Sequence, residues 1–310
     1  MARIDKVVLV TKQTPLQELV QRFSNVGQAR FYIEQSGKSF APIQSFSLRY
    51  AEALTLIRES IPEGIHFQEI DRSFLPNFLF GPNDLVVTLG PDGLVVNTAK
   101  YLDQQQIVAF NPDPTTIDGV LAPFFAWEAN NLLRLAVKSN VGVRKLTMGQ
   151  ATLNDGQTLF AVNDFFVGQK THVSARYEIQ FLNRSENQSS SGIIVSTGAG
   201  STGWYRSIVK GALAISDSLH FTDGGGEDHS WSPDNDELRF SVREPFESRA
   251  TGASICSGVI VPGLPLVVTS QMPQNGVIFS DGVEEDFLAF NSGSSVTIRV
   301  ADRFAWLAER

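Results

Sequence analysis

The chain holds one cysteine, Cys256, so it can form no internal disulfide and offers no cysteine-based zinc site. Histidine is nearly as scarce. His66, His172, His220 and His229 are scattered, with no HExxH or other ligand spacing, so the sequence suggests no metal held by protein side chains alone. Basic clusters are missing too: the formal charge is −8 and the pI near 5.1, which argues against nucleic acid as a main partner. No apolar stretch approaches the ~18 residues that span a bilayer. The opening MARIDKVVLVTK reads as a first strand rather than a signal peptide. The expectation is a cytoplasmic protein with no membrane partner.

Two classes of pattern are present instead. With 310 residues, 42% hydrophobic and 19% charged, the chain has the balance of a packed globular protein of one large or two ordinary domains. In the first third, strand runs (KVVLVT, IHFQEI, DLVVTL, QIVAF) alternate with helical spacing after Pro15 and over 45–61. That alternation predicts a parallel sheet covered on both faces. A helix is expected over 124–137. From there the pattern is β-rich, with an Asn-Asp-Gly hairpin signal at 154–156 and one helical interruption at 201–216. The division predicted is 1–124, a Rossmann-like α/β domain, and 125–310, a β-rich domain whose chain end is a candidate to pack back on the first.

Four stretches invite chemistry. In LVVTLGPDGLVV (85–96), Asp92 follows a strand end, where ligands of parallel sheets sit, and Gly90 and Gly93 leave room for a phosphate. Pro-Asp-Gly is equally a turn formula. SGIIVSTGAGSTGWYRS (191–207) contains Gly198-x-Gly200-x-x-Gly203, but no βαβ unit follows, which argues against a classical dinucleotide fingerprint. Its glycines and the hydroxyls of Ser196, Thr197, Ser201 and Thr202 still suit an anion or ribose at a helix start, or plain capping. In AVNDFFVG, Asn163-Asp164 breaks an apolar run and needs either partners or a ligand. The acidic loop 223–236 is a solvated loop or a cation-binding one.

In order and spacing these stretches resemble the NAD kinase family, within the superfamily of diacylglycerol and sphingosine kinases. LGPDGL (89–94) stands for its GGDG motif, and AFNPDP…GVLAPF (109–124) for its Asn and Gly-hydrophobic turn. AVNDFFVG stands for its Asn-Glu or Asn-Asp strand and GIIVSTGAGSTGWYRS for GLIVSTPTGSTAYS. REPF (243–246) and FSDGVEEDFLAF resemble its closing segments. The resemblance implies an N-terminal α/β domain and a C-terminal β-sandwich. It also implies transfer of the γ-phosphoryl of ATP, or of polyphosphate, to the 2′-hydroxyl of the adenosine ribose of NAD, with Mg²⁺ on ATP. Asp92 would then take the acid's place as catalytic base, with Gly90 and Gly93 in the phosphate loop. Asn163, Asp164, Thr202, Gly203, Trp204 and Ser207 would contact NAD, in a homo-oligomer (dimer or tetramer).

The departures are local. Pro91 replaces a motif glycine, removing an N–H and fixing φ. Thr-Gly-Ala-Gly replaces Thr-Pro-Thr-Gly at 197–200, Gly203 replaces Ala, and Trp204 replaces Tyr. Two other readings stay open: a weak or inactive NAD-binding protein, and a kinase with a sugar, nucleoside or lipid acceptor.

Overall fold

A computed structural model describes residues 4–219 and 229–310. The chain divides into two compact units, Met1–Arg144 with Trp306–Arg310, and Lys145–Ala305. The sequence-based division falls at residue 124. The difference is the helix after it, whose Ala129, Leu132, Leu133 and Ala136 pack in the core of the first unit. Of the acidic loop 223–236, residues 223–228 lie outside the described residues.

The first unit runs β1 (Lys6–Thr11), α1 (Pro15–Phe23), α2 (Val26–Gln35), α3 (Ala41–Glu59), β2 (His66–Asp71), β3 (Asp84–Leu89), α4 (Asp92–Ala99), β4 (Gln106–Asn111), β5 (Phe124–Phe125) and α5 (Ala129–Val137). Thr14 starts α1 with a capping box: its hydroxyl accepts from the Gln17 N–H, and the Gln17 side chain accepts from the Thr14 N–H. The strands pair in the order β2-β1-β3-β4, all parallel, and Trp306–Leu307 add to β4, also in parallel. Val7, Val8, Leu9 and Val10 are all fully buried, so both faces are covered, as a parallel sheet requires. Tyr50, Ala53 and Ile57 of α3 pack with α5 on one face. Two helices, α2 and α4, escaped the sequence reading. The run after Gly93 is helix α4, buried from Leu94 to Ala99 with polar Asn97 and Thr98 included, so it gives no amphipathic signature.

The second unit runs β6 (Val143–Leu153), β7 (Thr158–Ala161), β8 (Asp164–Gln169), β9 (Ala175–Phe181), β10 (Arg184–Ser190), β11 (Ile193–Ser196), a 3₁₀ turn (Ala199–Thr202) and α6 (Trp204–Ser218). It continues with β12 (Leu238–Val242), β13 (Ser257–Ile260), β14 (Leu266–Ser270), β15 (Gly276–Ser280), β16 (Val283–Ala289) and β17 (Ser295–Ala308), whose last three residues belong to the first unit. One sheet is ordered β10-β9-β14-β17, with β6 and β7 attached, and the other β13-β12-β11-β8-β15-β16. Tyr177, Ile179, Leu266 and Val268 of one interdigitate with Phe165, Val167, Ile193 and Ile278 of the other, which makes a β-sandwich. AVNDFFVG is not one strand: β7 and β8 lie in different sheets, and the chain crosses between them at Val162–Asn163. Strand β11 is antiparallel to both neighbours, so the glycine run after it does not open a βαβ unit. No helix of the described residues is long and apolar enough to cross a membrane.

A buried charge fastens the loop after β4. Asp113 is fully buried and pairs with Arg49 at 2.7 Å, while Thr115 and Thr116 donate to its two oxygens. Burial alone would raise its pKa. The bonds from Thr115, Arg49 and Thr116 outweigh it and hold the carboxyl at about 2. Its stabilising effect is therefore present above the ordinary carboxylate range and lost as pH falls from about 4 towards 2. Asp113→Ala is expected to destabilise the protein by about 2–3 kcal/mol at pH 7 and much less at pH 2.5, measured by urea unfolding at both pH values. An equal loss at both would refute the ionic role.

Candidate functional site

In the first unit the site residues gather at the end of β3. Tyr50 donates its hydroxyl hydrogen to the Leu89 carbonyl, the last of the strand, and the Gly90 N–H continues the ladder to the Phe110 carbonyl at 3.1 Å. Pro91 caps α4 at φ −71°, a position where the absent N–H breaks no helical bond. Asp92 is then the first helical residue. Gly93 is exposed, and a Cβ there would meet nothing within 4 Å. The Leu94 N–H bonds the Pro91 carbonyl, and the N–H groups of Asp92 and Gly93 have no partner among the described residues, an arrangement suited to an anion.

The Asp92 carboxylate is not idle in this arrangement. It accepts from three consecutive backbone N–H groups: Val120 at 3.0 Å, Leu121 at 2.9 Å and Ala122 at 3.1 Å. The 112–123 loop is shaped to deliver them. Asn111 donates to the Ile117 carbonyl and accepts from the Asp113 N–H. Gly119 stands at φ +66°, where a Cβ would lie 2.6 Å from Asn111 Nδ2 and 2.7 Å from the Ala122 carbonyl oxygen, so only glycine fits. Asn111 and Gly119 were legible as parts of the AFNPDP…GVLAPF string; their convergence on Asp92 was not.

In the second unit Asn163 and Asp164 stand where the chain changes sheets. Asp281 holds that crossing. Its carboxylate accepts from the N–H groups of Val162, Asn163 (2.6 Å) and Asp164, and its own N–H donates to the Asp164 carbonyl. Asp281 and Gly282 both have positive φ and form the two-residue turn of the β15–β16 hairpin, where Asp-Gly is favoured. Asp281 was quoted within FSDG but not singled out. The glycine loop closes on the same point: Thr197 donates its hydroxyl to the Val162 carbonyl and its N–H to the Asn163 carbonyl. A Cβ on Gly200 would lie 2.2 Å from the Asn163 carbonyl oxygen, and one on Gly198 would lie 2.1 Å from that of Ser232. These two glycines answer close backbone contacts within the fold.

Asp164 is the electrostatic anomaly. Its side chain is buried, and no donor among the described residues reaches its carboxylate. Burial, reinforced by the negative charge of Asp281, pushes its pKa up to about 7. A large share is therefore protonated at neutral pH and able to donate a hydrogen bond to a ligand. The remaining residues lie at the start of α6. Thr202 and Gly203 are exposed, as is Ser207, whose hydroxyl donates to the Gly203 carbonyl. The Trp204 ring stacks on Phe166 at 5.9 Å and 6°, on the outer face of the six-stranded sheet.

Because the folded-state pKa of Asp164 is raised, the protein loses stability as pH climbs from about 4 through 7. Asp164→Asn is expected to raise stability by roughly 2–4 kcal/mol at pH 8 and to leave it nearly unchanged at pH 4, read from unfolding midpoints across that range. A variant whose stability tracks wild type at every pH would contradict a neutral Asp164.

Neither a family model nor a curated protein matches the chain at a significant level. Solved structures do. Yeast NADH kinase complexed with NADH matches over 100% of this chain and 84% of its own, with a TM-score of 0.61 at 15% identity. The NAD kinase of Archaeoglobus fulgidus in complex with ATP matches over 98% and 93%, with a TM-score of 0.56 at 16% identity. The chain has the NAD kinase fold, an N-terminal α/β unit and a C-terminal β-sandwich.

Proposed function

We propose that the protein is an NAD kinase-like phosphotransferase that moves the γ-phosphoryl of ATP, or of polyphosphate, to the 2′-hydroxyl of the adenosine ribose of NAD. The observation that carries this reading is the full-length likeness to kinases whose structures hold NADH and ATP. Within it, the strand-end Asp92 and the Asn163–Asp164 crossing keep the order of the family's motifs. Asn163 and the partly neutral Asp164 supply acceptor and donor groups for a ribose or an amide. Thr202, Gly203, Trp204 and Ser207 complete the NAD contacts, and Gly90, Gly93 and the start of α4 receive phosphate. Asp92 takes the hydroxyl proton. Three backbone bonds occupy three of its roughly four lone-pair positions, so the fourth serves as the base. No three His, Cys, Asp or Glu side chains gather as a metal site among the described residues, so Mg²⁺ belongs with the ATP phosphates, whose charge it would neutralise. A cytoplasmic homo-oligomer remains part of the proposal.

One observation favours a second reading, a protein that binds NAD without turning it over. Pro91 removes a donor from the phosphate loop, and the Asp92 carboxylate is already engaged by the 120–122 backbone. Asp92→Asn separates the two. The amide oxygen can still accept loop N–H bonds but cannot take a proton. NADP formation from NAD with ATP or polyphosphate and Mg²⁺ is expected in wild type and reduced by about 10²–10⁴-fold in Asp92→Asn. Thermal stabilisation by NAD with no NADP from either donor would instead establish the binding protein.

A further inference from the structure

Arg49 and Tyr50, consecutive residues of α3, reach two different supports of Asp92. Tyr50 belongs to the buried stripe Tyr50, Ala53 and Ile57, which packs the helix against the parallel sheet. Its hydroxyl donates to the Leu89 carbonyl at 3.2 Å and accepts from the Lys12 N–H at 3.2 Å. It thus ties the ends of β1 and β3 together, three residues before Asp92. Burial pushes its pKa up to about 12, so the hydroxyl keeps the hydrogen that it donates. Arg49 lies about 100° further back round the helix. Its guanidinium meets the Asp113 carboxylate at 2.7 Å.

The loop on the other side of Asp92 contains no helix or strand between Pro112 and Pro123. Asp113 gathers its first half. One carboxylate oxygen accepts from the Thr115 N–H and hydroxyl, the other from Thr116 and Arg49. The Asp113 backbone carbonyl accepts from the N–H groups of Thr116 and Ile117. Thr115, Thr116 and Ile117 belong to the loop itself, whereas Arg49 comes from a helix packed in the core. Seven residues after Asp113, the same loop gives Asp92 the N–H groups of 120–122.

We propose that Arg49 and Tyr50 are positioning residues for Asp92. What Asp92 does rests on the phosphotransferase reading; where it is held rests on the geometry alone. Tyr50 fixes the strand end from which Asp92 follows, and Arg49 fixes the loop that bonds its carboxylate. Both constraints come from one turn of one packed helix, so strand end and loop keep a fixed separation. A reacting group misplaced by about 1 Å can lose about 10²-fold in rate. Loosening either contact therefore lowers turnover while every group that would touch the substrate is still present.

Amide hydrogen exchange of the full chain, without NAD or ATP, tests the support itself. Arg49→Gln and Tyr50→Phe are expected to speed exchange at Val120, Leu121 and Ala122 about tenfold or more. Val162, Asn163 and Asp164, held by Asp281, should keep their wild-type rates. Arg49→Lys, which keeps the charge, should restore most of the protection. Arg58→Gln, which breaks the contact of α3 with Glu69, should leave both sets unchanged. In NADP formation, Arg49→Gln and Tyr50→Phe should lower kcat about ten- to a hundredfold, with KM for NAD within about twofold. Neither should cost anything further in an Asp92→Asn background, because the group they position is already lost. Unchanged exchange at 120–122 in both variants overturns the proposal, whether or not the wild type forms NADP. Faster exchange with kcat unchanged, or with an equal loss in the Asp92→Asn background, overturns it as well. If the wild type forms no NADP, the phosphotransferase reading fails and the exchange result alone decides whether α3 holds Asp92.

Discussion

A single carboxylate, that of Asp281, holds the crossing on which the candidate site of the C-terminal unit is built. Where the chain leaves one sheet at β7 and enters the other at β8, three N–H groups lose their ladder partners. Asp281 gathers them. The tight turn with Gly282 puts its carboxylate there, and positive φ at both residues is the condition for that turn. The glycine loop then closes over the same crossing through Thr197, with Gly198 and Gly200 bare of side chains because backbone carbonyls occupy the space. Burial, reinforced by this negative charge so close by, pushes the pKa of Asp164 up to about 7. One residue thus sets backbone geometry and adds to the pKa shift that burial gives its neighbour.

The N-terminal unit repeats the device. Asp92 gathers the N–H groups of residues 120–122, as Asp281 gathers those of 162–164. Both carboxylates answer backbone donors left outside regular ladders, an accounting every folded chain must close. The consequence differs with surroundings. Asp281 is spent on its crossing, whereas Asp92 stands at a helix start beside an exposed glycine, with acceptor capacity remaining. Pro91 follows the same accounting: as a helix cap it fits the fold without strain, and what it removes is one backbone N–H at the start of α4.

Much of this was legible along the chain. The apolar runs announced β1 to β4 of the parallel sheet, though not the two-residue β5, which lies where a helix was expected, and Asn-Asp-Gly announced the β6–β7 hairpin, because a strand's period and a turn's dihedral needs are local. Helix α4 was hidden, since an apolar run as short as Leu94–Val96 carries no period that separates a buried helix from a buried strand. Strand β10 (RSENQSS) was hidden for the opposite reason: it is polar and holds its place by pairing with β9. AVNDFFVG read as one interrupted strand, and the interruption proved to be a change of sheet.

For the candidate site, the residue types and their order were set by the sequence: a lone acid after a strand, an Asn-Asp pair in an apolar run, and glycines before a helix. These are chemical identities, and they survive any fold. Which groups are spoken for was decided by tertiary structure alone. That Asp92 carries three loop amides and that Asp281 rather than Asp164 holds the crossing depend on contacts between residues up to 119 positions apart. Hydrogen bonding and desolvation act on neighbours in space, and neighbours at such separations exist only once the chain has folded.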